Sequence, residues 1–266
     1  MEPFVALMRT YCIDYTNSHD LSVCDTIMEP DYVVHIAGMQ LERDAAYKPA
    51  VEQVFERFPA LGLVVHELVT NGDRLVMRFS EHAATPEGVL ACWSGIGLYD
   101  WNGTRLTSCR VEQDFVSQQR QLDGGEPDRL EPPHLDPWLT TIARPSDPAA
   151  EATARAWLAA GDLRRATAGR IDEGDLATHQ PVVDVEDVTV HDLFSAGGRV
   201  AFHASLHGAY VGGLDGFAAD GRAAWVDVAG VLTVDAGTVT AVHAVTDRFG
   251  AWLRKAGEAA GEGGGT

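Results

Sequence analysis

The hydrophobic patterning of this 266-residue chain predicts an α+β fold of two related units, each a curved antiparallel sheet with helices packed on one face. Three observations lead there. Helical periodicity dominates the chain as far as Phe58, four strand-like runs joined by turn signals then follow in direct succession to Phe115, and a weaker copy of the pattern recurs in the second half.

Composition narrows the function classes. Hydrophobic residues make up 45% of the chain and charged residues 22%, as in an ordinary globular protein. A formal charge of −19 argues against a nucleic-acid partner or an anionic membrane surface, both of which select for Lys and Arg. No apolar run reaches the roughly 18 to 20 residues of a membrane span, and Met1-Glu2-Pro3 lacks the layout of a signal peptide, so the expected location is the cytoplasm. Cys12, Cys24, Cys92 and Cys109 have no CxxC spacing and read as buried free thiols. The ten histidines are scattered without an HExxH spacing, so neither a metal nor another cofactor is expected.

Phe4, Leu7, Met8, Tyr11, Cys12 and Tyr15 recur at helical spacing over residues 3–17. Asp20 caps a short second helix carrying Leu21, Cys24 and Ile27, which ends at Pro30. Tyr32 to Ile36 is a β-prone run stopped by Gly38, and Tyr47 through Phe58 marks a third helix ending before Pro59. The strands are then Leu63–Thr70, Arg74–Ala84, Val89–Tyr99 and Leu106–Phe115, with Asn71-Gly72-Asp73 as the clearest hairpin signal.

Residues 122–146 are too rich in proline for a regular element and read as an extended, docked linker anchored by Leu130, Leu135 and Trp138. Asp147-Pro148 opens the next helix. In the second unit His191-Asp192 echoes His66-Glu67, Arg199 echoes Arg74 and His207 echoes His82, all at an offset of 125; Gly237-Thr238 echoes Gly103-Thr104 at 134. The second copy therefore needs a connection nine residues longer around Gly212 to Gly216. It is also about 17 residues shorter before its strands, which corresponds to the loss of the first strand and third helix. The expected division is a first domain at 1–121, the linker at 122–146, a reduced second domain at 147–257 and a flexible tail at 258–266.

The first copy resembles the SnoaL-like polyketide cyclase family of the nuclear-transport-factor-2-like superfamily. The resemblance rests on Asn17-Ser18-His19-Asp20-Leu21, Tyr32-Val33-Val34-His35, Tyr47 through Phe58-Pro59, Glu67-Leu68-Val69, Trp93-Ser94-Gly95, Tyr99 and Glu112-Gln113-Asp114. It covers residues 4–115, and residues 147–256 only through the strands. It implies a cone-shaped sheet with a pocket between sheet and helices, and a tandem arranged as an intramolecular pseudo-dimer that is a monomer in solution. Members include polyketide cyclases, steroid isomerases, epoxide hydrolases and proteins without catalysis. An Asp near the end of the last strand serves SnoaL-like cyclases as acid/base group, often with a pocket histidine; Asp114 matches it by position. The Asp-Arg-Asp arrangement of limonene-type epoxide hydrolases has no residue-by-residue match.

Asp114 thus reads either as a proton-transfer group in an apolar pocket, or as one partner of an ion pair with Arg110 or Arg120, or as a solvated strand end. Strand alternation leaves the choice open: it groups Arg110, Glu112 and Asp114 on one face, and Cys109, Val111 and Gln113 on the other. His35 is its candidate catalytic partner, with a structural role as the alternative. Glu81 and His82 point to opposite faces, so at most one lines the cavity. Tyr32, Phe55, Phe79, His82, Trp93, Tyr99 and Glu112 are the candidate substrate-binding residues, and core packing is the competing role for each aromatic. Gly95-Ile96-Gly97 sits within a strand and precedes no helix, which excludes a phosphate loop. The expected function is a cofactor-independent acid/base enzyme, a cyclase, isomerase or epoxide-opening hydrolase, acting on a hydrophobic polyketide-, terpenoid- or steroid-like molecule. The rival is a non-catalytic binding or assembly module.

Overall fold

A computed structural model of the chain describes residues 1–263. Helix α1 (Pro3–Arg9) starts with the Glu2 carboxylate accepting from Val5 N, and continues into a wider π-helical segment, Thr10–Thr16. Its inner face buries Phe4, Val5, Met8, Cys12 and Tyr15. Asn17 then ties the segment to the sheet: its side-chain oxygen accepts from Leu63 N (2.6 Å), and its amide donates to Leu63 O (3.1 Å). Asp20 caps a 3-10 turn leading into α2 (Cys24–Ile27), which gives way directly to β1 (Met28–Ile36) and β2 (Met39–Glu42). After α3 (Lys48–Arg57) come β3 (Gly62–Thr70), β4 (Arg74–Ala84), β5 (Leu90–Trp101) and β6 (Leu106–Gln113).

The first sheet runs β2-β1-β6-β5-β4-β3, and β1 lies parallel to β6, so the sheet is mixed rather than wholly antiparallel. The last strand also stops earlier than its sequence suggests. Asp114 leaves the strand, its carboxylate accepts from Ser117 N, and α4 (Phe115–Leu122) begins where a strand end was expected. In the linker, α5 (Pro137–Thr140) presents Trp138 to the first core, whereas Leu135 is fully exposed and anchors nothing. The linker also covers the edge strand β3: His134 N donates to Val65 O and Arg144 N to Thr70 O.

The second unit repeats the plan with α6 (Pro148–Leu158), β7 (Ala168–Ile171), β8 (Gly174–Asp175), β9 (Val183–Ala196), β10 (Arg199–Tyr210), β11 (Ala223–Asp235), β12 (Thr238–Thr246) and α7 (Arg248–Gly263). Its sheet order, β8-β7-β12-β11-β10-β9, matches the first, again with one parallel pair. The first strand is therefore kept in short form, and the missing length falls on the third helix. The stretch expected as a flexible tail, 258–266, is helical through Gly263; its last three residues lie outside those described.

Strand pairing also corrects the match between copies. Arg74 pairs with Asp100 and Arg199 with Thr233, while Asp100 pairs with Ser108 and Thr233 with Ala241. This registers Gly103 with Ala236, one residue before the glycine match, and makes Asp114 equivalent to Asp247. Ser94 O accepts from Asp114 N (2.9 Å) as Asp227 O does from Asp247 N (2.7 Å), and Asp247 Oδ1 accepts from Gly250 N at the start of α7. Asp114 thus has a counterpart in register.

The two sheets pack face to face. Val76, Ile96 and Leu98 meet Phe194, Ala201, Ala229, Val231 and Val245 in a shared apolar layer. Around it Arg199 holds both oxygens of Glu67 at 2.6 Å, Arg74 pairs with Asp192, and His203 Nε2 lies 2.9 Å from Glu112 Oε1.

Candidate functional site

Period-two alternation sends one set of each strand's side chains into the shared layer and the other toward the helices. On β4 the helix side receives Leu75, Met77 and Phe79, while Val76 goes to the shared layer. Cross-strand partners share a face, and Phe79 faces Gly95 while Tyr99 faces Cys109. The glycines matter here: the Phe79 ring lies over Gly95, and the Tyr99 ring reaches within 2.8 Å of where a Cβ on Gly97 would stand. Any side chain at either position would displace an aromatic ring.

Between this face and the helices lies a cavity of about 440 Å³. Its wall includes Tyr32, Phe55, Phe79, Trp93 and Tyr99 from the sequence expectations, together with Tyr11, Tyr15, Tyr47, Cys109, Val111 and Gln113. The volume is that of a small-molecule site, and the wall is mostly apolar and aromatic. At one end the Tyr15 hydroxyl donates to Tyr47 Oη (2.9 Å), with Tyr11 Oη 3.2 Å from the same atom. Tyr32 Oη is buried without a hydrogen-bond partner. Burial pushes the tyrosine and Cys109 groups well above their ordinary values, so this end presents neutral hydroxyls and a neutral thiol.

Glu81 marks the other end. It pairs in register with Trp93, six residues along β4 from the partner of Tyr99, which separates the two backbones by on the order of 20 Å. Its side chain is half-buried against cavity space, with no hydrogen-bond or ion-pair partner among the described residues. Burial alone pushes its carboxyl up to about 7 from 4.5. Beside it, Trp93 Nε1 donates to Gln113 Oε1 (2.7 Å), an arrangement that leaves the Gln113 amide nitrogen as an unused donor. Arg57, the other charged wall residue, is exposed at the rim with its guanidinium 5.0 Å from the Phe58 ring centroid.

Four expected site residues stand elsewhere. Asp114 is 1% exposed, caps α4 and lies 2.7 Å from Arg248 of the second unit; Arg248 also reaches Glu173 and Asp172. Burial, together with the neighbouring Asp172 and Glu173 carboxylates, pushes Asp114 up, while the same guanidinium holds Glu173 down. The expected partners Arg110 and Arg120 are not the ones it takes. Glu112 projects into the inter-sheet layer against His203. His35, between Val34 and Ile36 of the cavity wall, points the opposite way, toward Arg110, His203 and His191, and burial near these groups lowers its pKa. His82 is exposed and bonded to Ser80 Oγ (2.9 Å). Of the neighbours Glu81 and His82, the cavity holds Glu81.

Residues 9–108 match the family model described as a SnoaL-like domain. The first unit is a SnoaL-like domain. The second unit lies outside that match, and no curated protein sequence matches the chain. Among solved structures, IdmH of Streptomyces antibioticus, a candidate polyketide cyclase, is 18% identical over 46% of this chain and 99% of its own, with a TM-score of 0.42. A SnoaL-like polyketide cyclase from Agrobacterium tumefaciens is 18% identical over 46% and 99%, with a TM-score of 0.40. AclR of Streptomyces galilaeus, a candidate hydroxylase, is 16% identical over 47% and 100%, with a TM-score of 0.42. Among the described residues no group of three or more His, Cys, Asp or Glu converges as a metal site would, and no helix of the SnoaL-like domain or its partner unit is long and apolar enough to cross a membrane.

Proposed function

We propose that the SnoaL-like domain is a cofactor-independent acid/base enzyme that acts on an elongated hydrophobic molecule, with Glu81 as the proton-transfer group. The observation that carries this reading is a lone carboxyl group projecting, without a partner, into a ligand-sized aromatic cavity. A carboxyl poised near neutrality both takes and returns a proton at physiological pH. The Gln113 amide is placed to donate to an oxygen that gains charge as Glu81 removes a neighbouring proton. The tyrosine end would hold a distant oxygen of the same ligand. Such a pair suits isomerisation, or a cyclisation in which Glu81 takes a C–H proton, the resulting enolate carbon attacks a carbonyl carbon, and the new alkoxide is protonated in turn.

Base-promoted opening of 5-nitrobenzisoxazole tests this without knowledge of the natural ligand. A carboxylate removes the ring C–H proton as the N–O bond breaks, releasing a coloured cyanophenolate. The wild type is expected to accelerate the reaction with a rate rising through pH 7, and Glu81→Gln to lose at least tenfold. Equal rates in the two proteins would refute Glu81 as the base and favour the ligand-carrier reading.

A further inference from the structure

The cavity of the first unit is completed by the second. We propose that Phe249 and Leu253 on α7 form the outer wall of the first unit's cavity and set the length of ligand it accepts. The inference rests on reading that cavity as a ligand site.

Both side chains line the 440 Å³ cavity, although they belong to the other unit. Leu253 is 46% exposed, and so is Met39, at 51%, on the β1–β2 hairpin that shares the cavity wall with it. Two exposed apolar side chains on opposite units, both facing one cavity, describe its mouth. At the turn between them, a Cβ on Gly38 would stand 3.4 Å from Arg254 Nη1, so hairpin and helix are in contact range. Inward of the mouth, the Phe249 ring packs edge-on against Phe115 at 6.1 Å, joining α7 to α4.

The second unit is built to hold α7 there. Its β10–β11 connection, the part that is longer than in the first unit, supplies the braces. Trp252 Nε1 donates to Asp215 O (2.9 Å) and its ring meets Phe217, while Lys255 Nζ lies 2.7 Å from Asp220 Oδ2 and above the Tyr210 ring. Trp252 in turn stacks on Phe249. In the second unit the space corresponding to this cavity is largely filled. At the equivalent place about 30 Å³ remains, and Leu206, Val226 and Thr246 stand in register with Glu81, Trp93 and Gln113. Having lost both the space and the carboxyl, the second unit retains a helix whose apolar residues face its neighbour's cavity.

Calorimetry with 4-alkylphenols from ethyl to octyl tests the proposal on the full-length protein. Wild-type affinity should rise about fourfold per methylene until the chain reaches the mouth. Leu253→Trp should weaken octylphenol at least tenfold while changing ethylphenol less than twofold. Leu253→Ala and Phe249→Ala should extend the rise to longer members. Wild-type binding with the same length profile in all three variants would overturn the inference and leave the cavity reading standing. No binding of any member to the wild type would overturn both.

Discussion

At the residue scale the decisive group is Glu81, and its burial has a consequence for stability. The folded protein keeps its proton up to about pH 7, whereas the unfolded chain releases it near 4.5. Between these values the folded state binds more protons, so stability falls as pH rises, and above pH 7 the whole cost is present. The shift corresponds to at most about 3 kcal/mol, reduced by whatever water reaches the carboxyl through the mouth. Glu81→Gln should therefore stabilise the protein by roughly 1–3 kcal/mol at pH 8 and hardly at all at pH 4.5, measured by urea unfolding. A loss of stability at pH 8 would mean that a partner holds the carboxylate. Glu81 was within reach of the sequence. Phe79 and His82 are three apart on one strand and cannot face the same cavity, so choosing Phe79 selects Glu81. The same parity pairs Tyr32 with Val34 and excludes His35, and pairs Cys109 with Gln113 and excludes Glu112. What the sequence withheld was which face of each strand looked inward, because both faces of this sheet are buried.

At the scale of elements, the strands and hairpins were legible from alternation and turn residues, and so was the start of the final strand at Leu106, whereas its end was not. Asp114-Phe115-Val116-Ser117 reads equally as a strand end or as a capped helix start, and the apolar Phe115 and Val116 fit both. The strand register shifts at Asp100/Trp101 and at the equivalent Thr233/Val234, so the correspondence between the copies carries through both bulges. Aligning glycine to glycine instead moved Asp114 opposite Arg248 and concealed its equivalence to Asp247. The paired caps make Asp114 architectural. Asp114→Asn keeps an acceptor for Ser117 N and should leave nitrobenzisoxazole turnover unchanged. Arg248→Met removes the cation shared by Asp114, Asp172 and Glu173, and should cost about 3–5 kcal/mol at pH 8 by chemical denaturation, with less lost near pH 5 as carboxylates protonate. Loss of turnover in Asp114→Asn with stability intact would return the catalytic role to that residue.

At the scale of the whole molecule, tandem repetition converts a surface into a core. Val76, Ile96 and Leu98 would form an exposed apolar patch on a separate first unit, and Ala201, Ala229, Val231 and Val245 its complement on the second. Within one chain the linker keeps the two faces at high effective concentration, so they meet intramolecularly before a second copy can compete. One asymmetric ion pair reinforces that choice: Arg199–Glu67 recurs with the units exchanged as Arg74–Asp192, whereas Arg248 reaches Asp114 and Phe115 stands in the equivalent place of the first unit. The remaining exposed hydrophobics, such as Leu90, Leu135, Ile142 and Val211, are dispersed over hairpin tips and the linker. A net charge of −19 adds repulsion between copies. Light scattering at micromolar concentration should therefore return the mass of one chain, 28.6 kDa. A stable dimer would require a surface other than the sheet faces, because separating those would expose the Glu67, Glu112 and Asp114 contacts that the second unit satisfies.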